Sequence, residues 1–201
     1  MNGRLPINVP FVALLLTVAS SGASAAPAIY TIDSNHTHPL FEADHFNGLS
    51  VWRALFKRTT GTVTLDAAAG TGAVDITIDM TSVDFGHDKL NDYAVNSTAV
   101  PIFEAAKYPP ARYQGTLTGF INGAPTAVLG NLTMRGVIKP VALRIDSFKC
   151  IANHPLLKRE VCGADASGTL NRADFGITVG EQYGFKMDVV LHIQVEAIRA
   201  D

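Results

Sequence analysis

Apolar and polar residues alternate at every second position over much of this chain, and that period constrains the fold more than any other feature. The alternation is clearest in residues 73–80 (AVDITIDM) and residues 185–197 (FKMDVVLHIQVEA). Successive side chains of a β-strand point to opposite faces, so this period predicts strands that have one apolar face. Turn sequences such as Asn47-Gly48 separate the runs. The pattern therefore predicts about eight short strands that form a sandwich or a barrel.

Residues 131–148 (NLTMRGVIKPVALRIDSF) predict a hairpin whose two strands share an apolar face. Leu132 and Met134 lie on that face before the turn region 135–139, and Leu143 lies on it after the turn. An apolar sheet face has to be buried. The hairpin thus packs either against a partner sheet or against a ligand.

Small residues on the predicted inner faces indicate unfilled volume. Ala164, Ala166 and Gly168 follow one strand, while Ala111 and Gly115 lie on another. Protein interiors pack densely, so a void beside such residues destabilises the fold unless something occupies it. An eight-stranded barrel can hold one small ligand. The predicted lining carries almost no charge, so that ligand should be apolar. The alternative is a dry, filled core in a structural or stress-related envelope protein.

One segment departs from the strand pattern. Residues 87–95 (HDKLNDYAV) predict a short helix, with Asp88 in its first turn, where a carboxylate suits the helix dipole.

The first 25 residues have the features of a cleavable signal peptide. Arg4 supplies a positive charge, residues 9–19 (VPFVALLLTVA) form an apolar run, and Ala23-Ser24-Ala25 matches a cleavage pattern. The apolar run is too short to span a bilayer as a helix. We expect cleavage after Ala25 and a single domain over residues 26–201, with an uncleaved anchor as the alternative.

The chain has two cysteines, Cys150 and Cys162. An even count in an exported chain favours a disulfide, which would stabilise the fold by about 3 kcal/mol through loop closure. A metal site formed by two thiols is the weaker alternative.

The net charge is −2, and the basic residues are scattered singly along the sequence. This distribution does not form a nucleic-acid-binding face.

Several polar residues are candidates for a chemical site. His36, His38 and His45 could bind a metal or support an enzymatic envelope protein, whereas the simpler interpretation is strand-end histidines that contact backbone or a ligand head group. The sequence contains no Gly-x-Ser-x-Gly, His-Glu-x-x-His or phosphate-loop motif. We therefore predict a non-catalytic protein that needs no cofactor. Arg172 and Asp174 are expected to lock one end of the barrel by charge-assisted bonds.

Seven motifs in order make the chain resemble the YceI-like family of bacterial exported lipid-binding proteins. They are residues 30–33 (YTID), 41–45 (FEADH), 61–66 (GTVTLD), 81–86 (TSVDFG), 103–109 (FEAAKYP), 130–137 (GNLTMRGV) and 171–176 (NRADFG). The resemblance implies an all-β, antiparallel, eight-stranded lipocalin-like β-barrel with a short helical insert. It also implies a polyisoprenoid ligand, either a prenyl lipid or an isoprenoid quinone, and a location in the periplasm.

Alternation and resemblance together give a set of candidate ligand contacts on the inner face. They are Phe41, Ala43, His45, Ile76, Ile78, Tyr113, Leu132, Met134, Leu143, Leu170, Leu191 and Ile193. His45 would hydrogen-bond a quinone carbonyl or an alcohol. The chain is also expected to contact a membrane transiently for lipid exchange, and its oligomeric state is left open, with a homodimer as one candidate.

Overall fold

The computed structural model of the protein describes residues 26–200. The proposed signal peptide, residues 1–25, lies outside the described residues. No helix among those described is long and apolar enough to cross a bilayer.

Residues 26–200 form mainly β-strands, with one α-helix and three short 3₁₀ turns among the described residues. The strands are β1 (Ala28–Ile32), β2 (His38–His45), β3 (Ser50–Phe56), β4 (Thr59–Asp66), β5 (Thr71–Asp79), β6 (Val83–Asp84), β7 (Pro110–Thr118), β8 (Ala127–Met134), β9 (Val137–Ile151), β10 (Val161–Asn171) and β11 (Asp188–Arg199). The helix is α1 (Asp88–Asn96), and the 3₁₀ turns are Met80–Ser82, Arg172–Phe175 and Glu181–Tyr183.

Eight strands close into an antiparallel ring in the order β1-β4-β5-β7-β8-β9-β10-β11, which ends where β11 pairs with β1. Three described strands remain outside this ring: β2, β3 and β6. β2 pairs with the part of β11 that precedes the part paired with β1, β3 pairs with β2, and β6 pairs with β3. The predicted all-β, eight-stranded antiparallel barrel with a helical insert is therefore confirmed.

The predicted hairpin consists of β8 and β9, but its turn is shorter than expected. Met134 pairs with Val137, so only Arg135 and Gly136 connect the strands. Both have positive φ angles, 51° and 76°. Two positive φ values are typical of the type I′ turn, whose twist matches the flanking strands without further residues. The prediction that the turn spans residues 135–139 is thus wrong, because β9 already begins at Val137.

Helix α1 forms where the sequence predicts it. The side chain of His87 accepts a hydrogen bond from the backbone N–H of Leu90 and caps the helix, and Asp88 lies in the first turn. Ala94 is buried, and its carbonyl accepts a hydrogen bond from the Phe103 N–H. These contacts hold the helix and the loop after it against one end of the barrel.

The predicted disulfide is confirmed. Cys150 on β9 and Cys162 on β10 are direct cross-strand partners and are joined by their sulfurs. The bond closes the base of the loop between these two strands.

Candidate functional site

A cavity of about 750 Å³ occupies the interior of the barrel. Its wall is formed by inward-facing residues of the strands, together with α1 and residues 177–185. Almost all of the lining side chains are apolar. The twelve candidate contacts predicted from the sequence, Phe41, Ala43, His45, Ile76, Ile78, Tyr113, Leu132, Met134, Leu143, Leu170, Leu191 and Ile193, all lie on this wall. Their contact with a ligand stays a prediction.

Strand alternation is the reason that these residues share the cavity. On β11, Leu191 and Ile193 line the cavity, while His192 between them is exposed on the outer surface. On β5, Ile76 lines the cavity, and its neighbour Asp75 forms an outer ion pair with Arg112. Each strand thus turns its apolar residues inward, because a pleated backbone sends alternate side chains to opposite faces.

Only some of the small residues contribute to the cavity as predicted. Ala111, Ala164 and Ala166 line the cavity as expected. A Cβ atom at Gly168 would lie 2.8 Å from the Ala142 carbonyl oxygen, and one at Gly115 would lie 2.9 Å from Val128 Cγ1. The prediction that these two glycines leave free volume is therefore wrong, because close packing of the neighbouring strand fills the space beside them.

Tyr113 places a large ring in the cavity wall without exposing an unpaired polar group. Its hydroxyl donates a hydrogen bond of 2.9 Å to the carbonyl of Val141, two strands away. The ring passes over Gly130, where a Cβ atom would lie only 2.6 Å from Tyr113 Cζ. Burial raises the pKa of Tyr113 to about 12, so the phenol is neutral. The residue consequently presents an apolar face to the cavity.

The cavity reaches solvent at the end where β2 stops and β11 starts. Four lining residues are exposed, and all four lie at this end, which we call the mouth: Phe46, Tyr93, Gln182 and Tyr183. The lining residues at the opposite end include Leu65, Leu117 and Pro125, which are buried. The described part of the barrel therefore has an open end and a blind end.

Aromatic side chains surround His45 at the mouth. Its ring centroid lies 4.6 Å from that of Phe46 and 5.0 Å from that of Phe185, and Trp52 packs on it at 5.7 Å. Phe46 has a φ angle of 51°, a left-handed conformation that is costly for a bulky residue. Such strain is commonly stored at functional sites. The Phe46 ring lies at the entrance of the cavity.

The three histidines do not form one site. His36 forms an ion pair with Asp33, with 2.8 Å between Nδ1 and Oδ2, and His38 Nε2 lies 3.2 Å from the Asn35 carbonyl oxygen. His38 and His45 stand at opposite ends of β2, which at about 3.3 Å per residue separates them by about 23 Å. This geometry therefore excludes a metal ion held by all three histidines, the alternative that the sequence allows.

The described residues contain one group of potential metal ligands, formed by Cys150, Glu160 and Cys162. Its two sulfurs are joined in the disulfide, so neither is a thiolate that could bind a metal.

Arg172 is a functional candidate that the alternation did not identify. Arg172 lines the cavity near the mouth, and its guanidinium donates hydrogen bonds to the carbonyls of Ile177 (3.1 Å) and Val179 (2.7 Å). Its Nε is buried and has no hydrogen-bond partner, and burial lowers the pKa of the side chain. Arg172 does lock this end of the barrel, but through backbone carbonyls rather than through the predicted bond to Asp174. The sequence did carry a signal for Arg172, because this residue lies two positions after Leu170 and so continues the alternation of inward-facing positions.

Asp44 is the second charged residue of the described lining. Its carboxylate accepts a hydrogen bond of 2.9 Å from the backbone N–H of Lys186, and this bond lowers the pKa of Asp44. Asp44 thereby ties β2 to the segment that leads into β11. The two lining charges thus both hold the backbone around the mouth, while the interior is apolar.

Solved structures share this fold. BcnA of Burkholderia cenocepacia aligns with a TM-score of 0.64 and 19% identity, covering 82% of this chain and 98% of that chain. A polyisoprenoid binding domain from Saccharophagus degradans, implicated in plant cell wall breakdown, aligns with a TM-score of 0.55 and 16% identity, covering 85% of this chain and 98% of that chain.

Sequence comparison gives closer similarity. Protein YceI of Escherichia coli O6:H1 is 34% identical over 190 residues, which are 92% of this chain and 95% of the relative. A UPF0312 protein of Serratia proteamaculans is 33% identical over 185 residues, or 90% of this chain and 91% of the relative. The YceI-like domain matches residues 30–197, the span that forms the barrel and its cavity. This chain therefore belongs to the YceI-like family.

Proposed function

We propose that this protein is an exported, non-enzymatic lipid-binding protein that holds a long isoprenoid, either a prenyl lipid or an isoprenoid quinone, inside its barrel. The observation that carries the proposal is the cavity of about 750 Å³ with an almost wholly apolar wall. Similarity to a polyisoprenoid binding domain supports the same class of ligand.

The physical argument starts from the energetic cost of an empty cavity. Unfilled apolar volume of this size destabilises a protein by on the order of 10 kcal/mol relative to filled volume. Water that enters the interior would find few hydrogen-bond partners, because so little of the wall is polar. A flexible hydrocarbon chain can fill the space and gains about 0.8 kcal/mol for each buried CH₂ group. The cavity argues against the alternative of a dry, filled core.

The polar end of the ligand belongs at the mouth. The charged lining residues, Asp44 and Arg172, lie there, and so does His45. His45 lines the mouth, and its imidazole can donate a hydrogen bond to a carbonyl or hydroxyl oxygen of a head group. This arrangement favours a ligand with an acceptor on its head group, such as a quinone. Carriage, storage and sensing are all compatible with a single chain enclosed in this way.

Transient membrane contact through the mouth is part of the proposal. Leu49 is 77% exposed and Tyr183 is 62% exposed, and both lie beside the opening. Exposed aliphatic and aromatic side chains favour the interfacial region of a bilayer. Leu49→Asp should slow uptake of a prenyl lipid from phosphatidylglycerol and phosphatidylethanolamine vesicles at least about tenfold, since burying a leucine is worth about 1.5–3 kcal/mol. Leu129→Asp, on the outer wall of the barrel, is the matched control and should transfer lipid at the wild-type rate. Equal slowing in both variants would contradict the role of the mouth.

The proposal is tested by identifying what the protein contains. The protein should be purified from its native host, without detergent, and extracted with organic solvent for mass spectrometry. We expect one prenyl lipid or isoprenoid quinone per chain. The proposal is refuted by an empty extract from a folded barrel that also takes up no added isoprenoid. Mass spectrometry of the intact protein also shows whether residues 1–25 have been removed, and osmotic-shock fractionation tests the periplasmic location.

A further inference from the structure

The blind end of the cavity is made spacious by two alanines on β10. Ala164 lies between Phe148 on β9 and Val195 on β11 as their cross-strand neighbour, and both of these larger residues also line the cavity. Ala166 is placed in the same way between Ile145 and Ile193. Each alanine thus stands between two bulky side chains. Its small side chain leaves room in the cavity that a larger residue would occupy.

The other half of the cavity, toward the mouth, is narrowed by aromatic rings. Phe41 packs against Phe56 and Phe85 with centroid distances of 5.8 Å, and against Phe103 at 6.4 Å. A chain that enters at the mouth therefore passes this cluster before it reaches the alanines. The depth available beyond the cluster limits how much of the chain can be enclosed.

The cavity volume converts into a chain length. An apolar protein cavity of about 150 Å³ holds one benzene molecule, or about 25 Å³ for each carbon. On that scale, a cavity of about 750 Å³ encloses about 30 carbons, or about six isoprene units. A longer chain would leave its remaining units and its head group at the mouth, among Phe46, Tyr93 and Tyr183.

We infer that the blind end acts as a ruler for isoprenoid length, and that the small side chain of Ala164 sets how much of the chain the blind end admits. This inference rests on the proposed function and specifies its ligand. Each isoprene unit that enters the barrel should strengthen binding about tenfold or more, after allowance for ordering the chain. Units beyond about the sixth remain outside the barrel and should add less than about twofold each.

A substitution at Ala164 should shorten the ruler by a calculable amount. Ala164→Phe adds six carbons to the wall, which is close to the five carbons of one isoprene unit. The length at which affinity stops rising should fall from about six units to about five. Thr169→Phe is the matched control, because Thr169 is on the same strand but is exposed on the outer surface.

The experiment uses delipidated mature protein and a series of polyprenols from about three to about nine isoprene units. Competition between pairs of polyprenols, read by native mass spectrometry, gives relative affinities. We expect the wild type and Thr169→Phe to share a break near six units, and Ala164→Phe to break one unit earlier. The retained fold of each variant is checked by near-ultraviolet circular dichroism.

The possible results separate the ruler from the proposed function. Wild-type affinity that keeps rising at a constant rate through the longest polyprenol overturns the ruler and leaves lipid binding intact. An unchanged break in a folded Ala164→Phe variant removes Ala164 from the role. If Ala164→Phe does not fold, Ala164→Leu, which adds three carbons, should still move the break to a shorter chain. A wild-type protein that binds no polyprenol overturns the proposed function and the ruler together.

Discussion

Placing a carboxylate at Leu143 tests whether the inner face of the barrel is the binding surface. Leu143 is buried on β9 and lines the cavity, whereas its neighbour Ala142 is exposed on the outer face. Leu143→Asp would remove an apolar contact worth about 1.5–3 kcal/mol. It would also leave an ionised carboxylate without a partner against the bound hydrocarbon, at a further cost of several kcal/mol. Binding at neutral pH should weaken by at least about a thousandfold.

The same substitution predicts a dependence on pH. An apolar environment disfavours the charged form and therefore raises the pKa of the introduced carboxyl group. As the pH falls through that raised pKa, the group becomes neutral and most of the desolvation cost disappears. Lipid affinity of Leu143→Asp should thus recover as the pH is lowered toward about 4, while wild-type affinity should change little.

The assay can use the protein's own tryptophan. Trp52 is the single tryptophan of the chain and lines the cavity near the mouth, so its fluorescence should report entry of a lipid. Ala142→Asp is the matched control and should bind within about twofold of the wild type, since an isolated surface substitution has little effect. The reasoning is refuted if a folded Leu143→Asp variant binds like the wild type at neutral pH, or if both variants lose affinity equally.

Three further predictions concern stability. Replacing both cysteines (Cys150→Ala with Cys162→Ala) should lower Tm by about 6–12 °C, because the 12-residue separation corresponds to about 3 kcal/mol of loop-closure stabilisation. A calorimetric Tm that does not decrease would contradict this prediction. Gly130→Ala should destabilise the fold by about 1–3 kcal/mol through overpacking against the tyrosine ring that crosses it, whereas Gly163→Ala, whose Cβ would have no neighbour closer than 3.6 Å, should be nearly neutral in urea unfolding. Hydrogen bonds from backbone and side-chain N–H groups lower the pKa of Asp84 from 3.8 to about 2. The stability that Asp84 contributes to the fold is therefore complete above about pH 4 and is lost as the pH falls toward 2. Asp84→Asn should flatten the acid side of the curve of stability against pH, and an unchanged curve would show that other groups control it.

The wall of the cavity was predictable because it depends on a local property of the sequence. Inward and outward side chains alternate along a strand, so the positions of Ile78 and Leu143 follow from counting in twos. The disulfide likewise followed from an even cysteine count in a chain whose sequence predicts a signal peptide. These features need no knowledge of which strands are neighbours.

Features that depend on strand neighbours were not predictable in this way. Gly115 and Gly168 look like sources of free volume in the sequence, and only the registry of adjacent strands shows that backbone and side chains fill the space beside them. The separation of His38 from His45 needed the knowledge that one continuous strand connects them. Arg172 was assigned to a local pair with Asp174. Its actual acceptors are backbone carbonyls, which every residue carries and which the sequence therefore cannot distinguish.

The central claim is that an isoprenoid chain lies inside the barrel, and intermolecular NOEs test it most directly. The protein should be prepared with labelled isoleucine and leucine methyl groups and loaded with one equivalent of a prenyl lipid. The account predicts NOEs from the lipid methyls to Ile78, Leu143 and Leu191 in the cavity, and none to Leu129 or Ile138 on the outer surface. Contacts confined to the outer residues, or a protein that cannot be loaded, would contradict it.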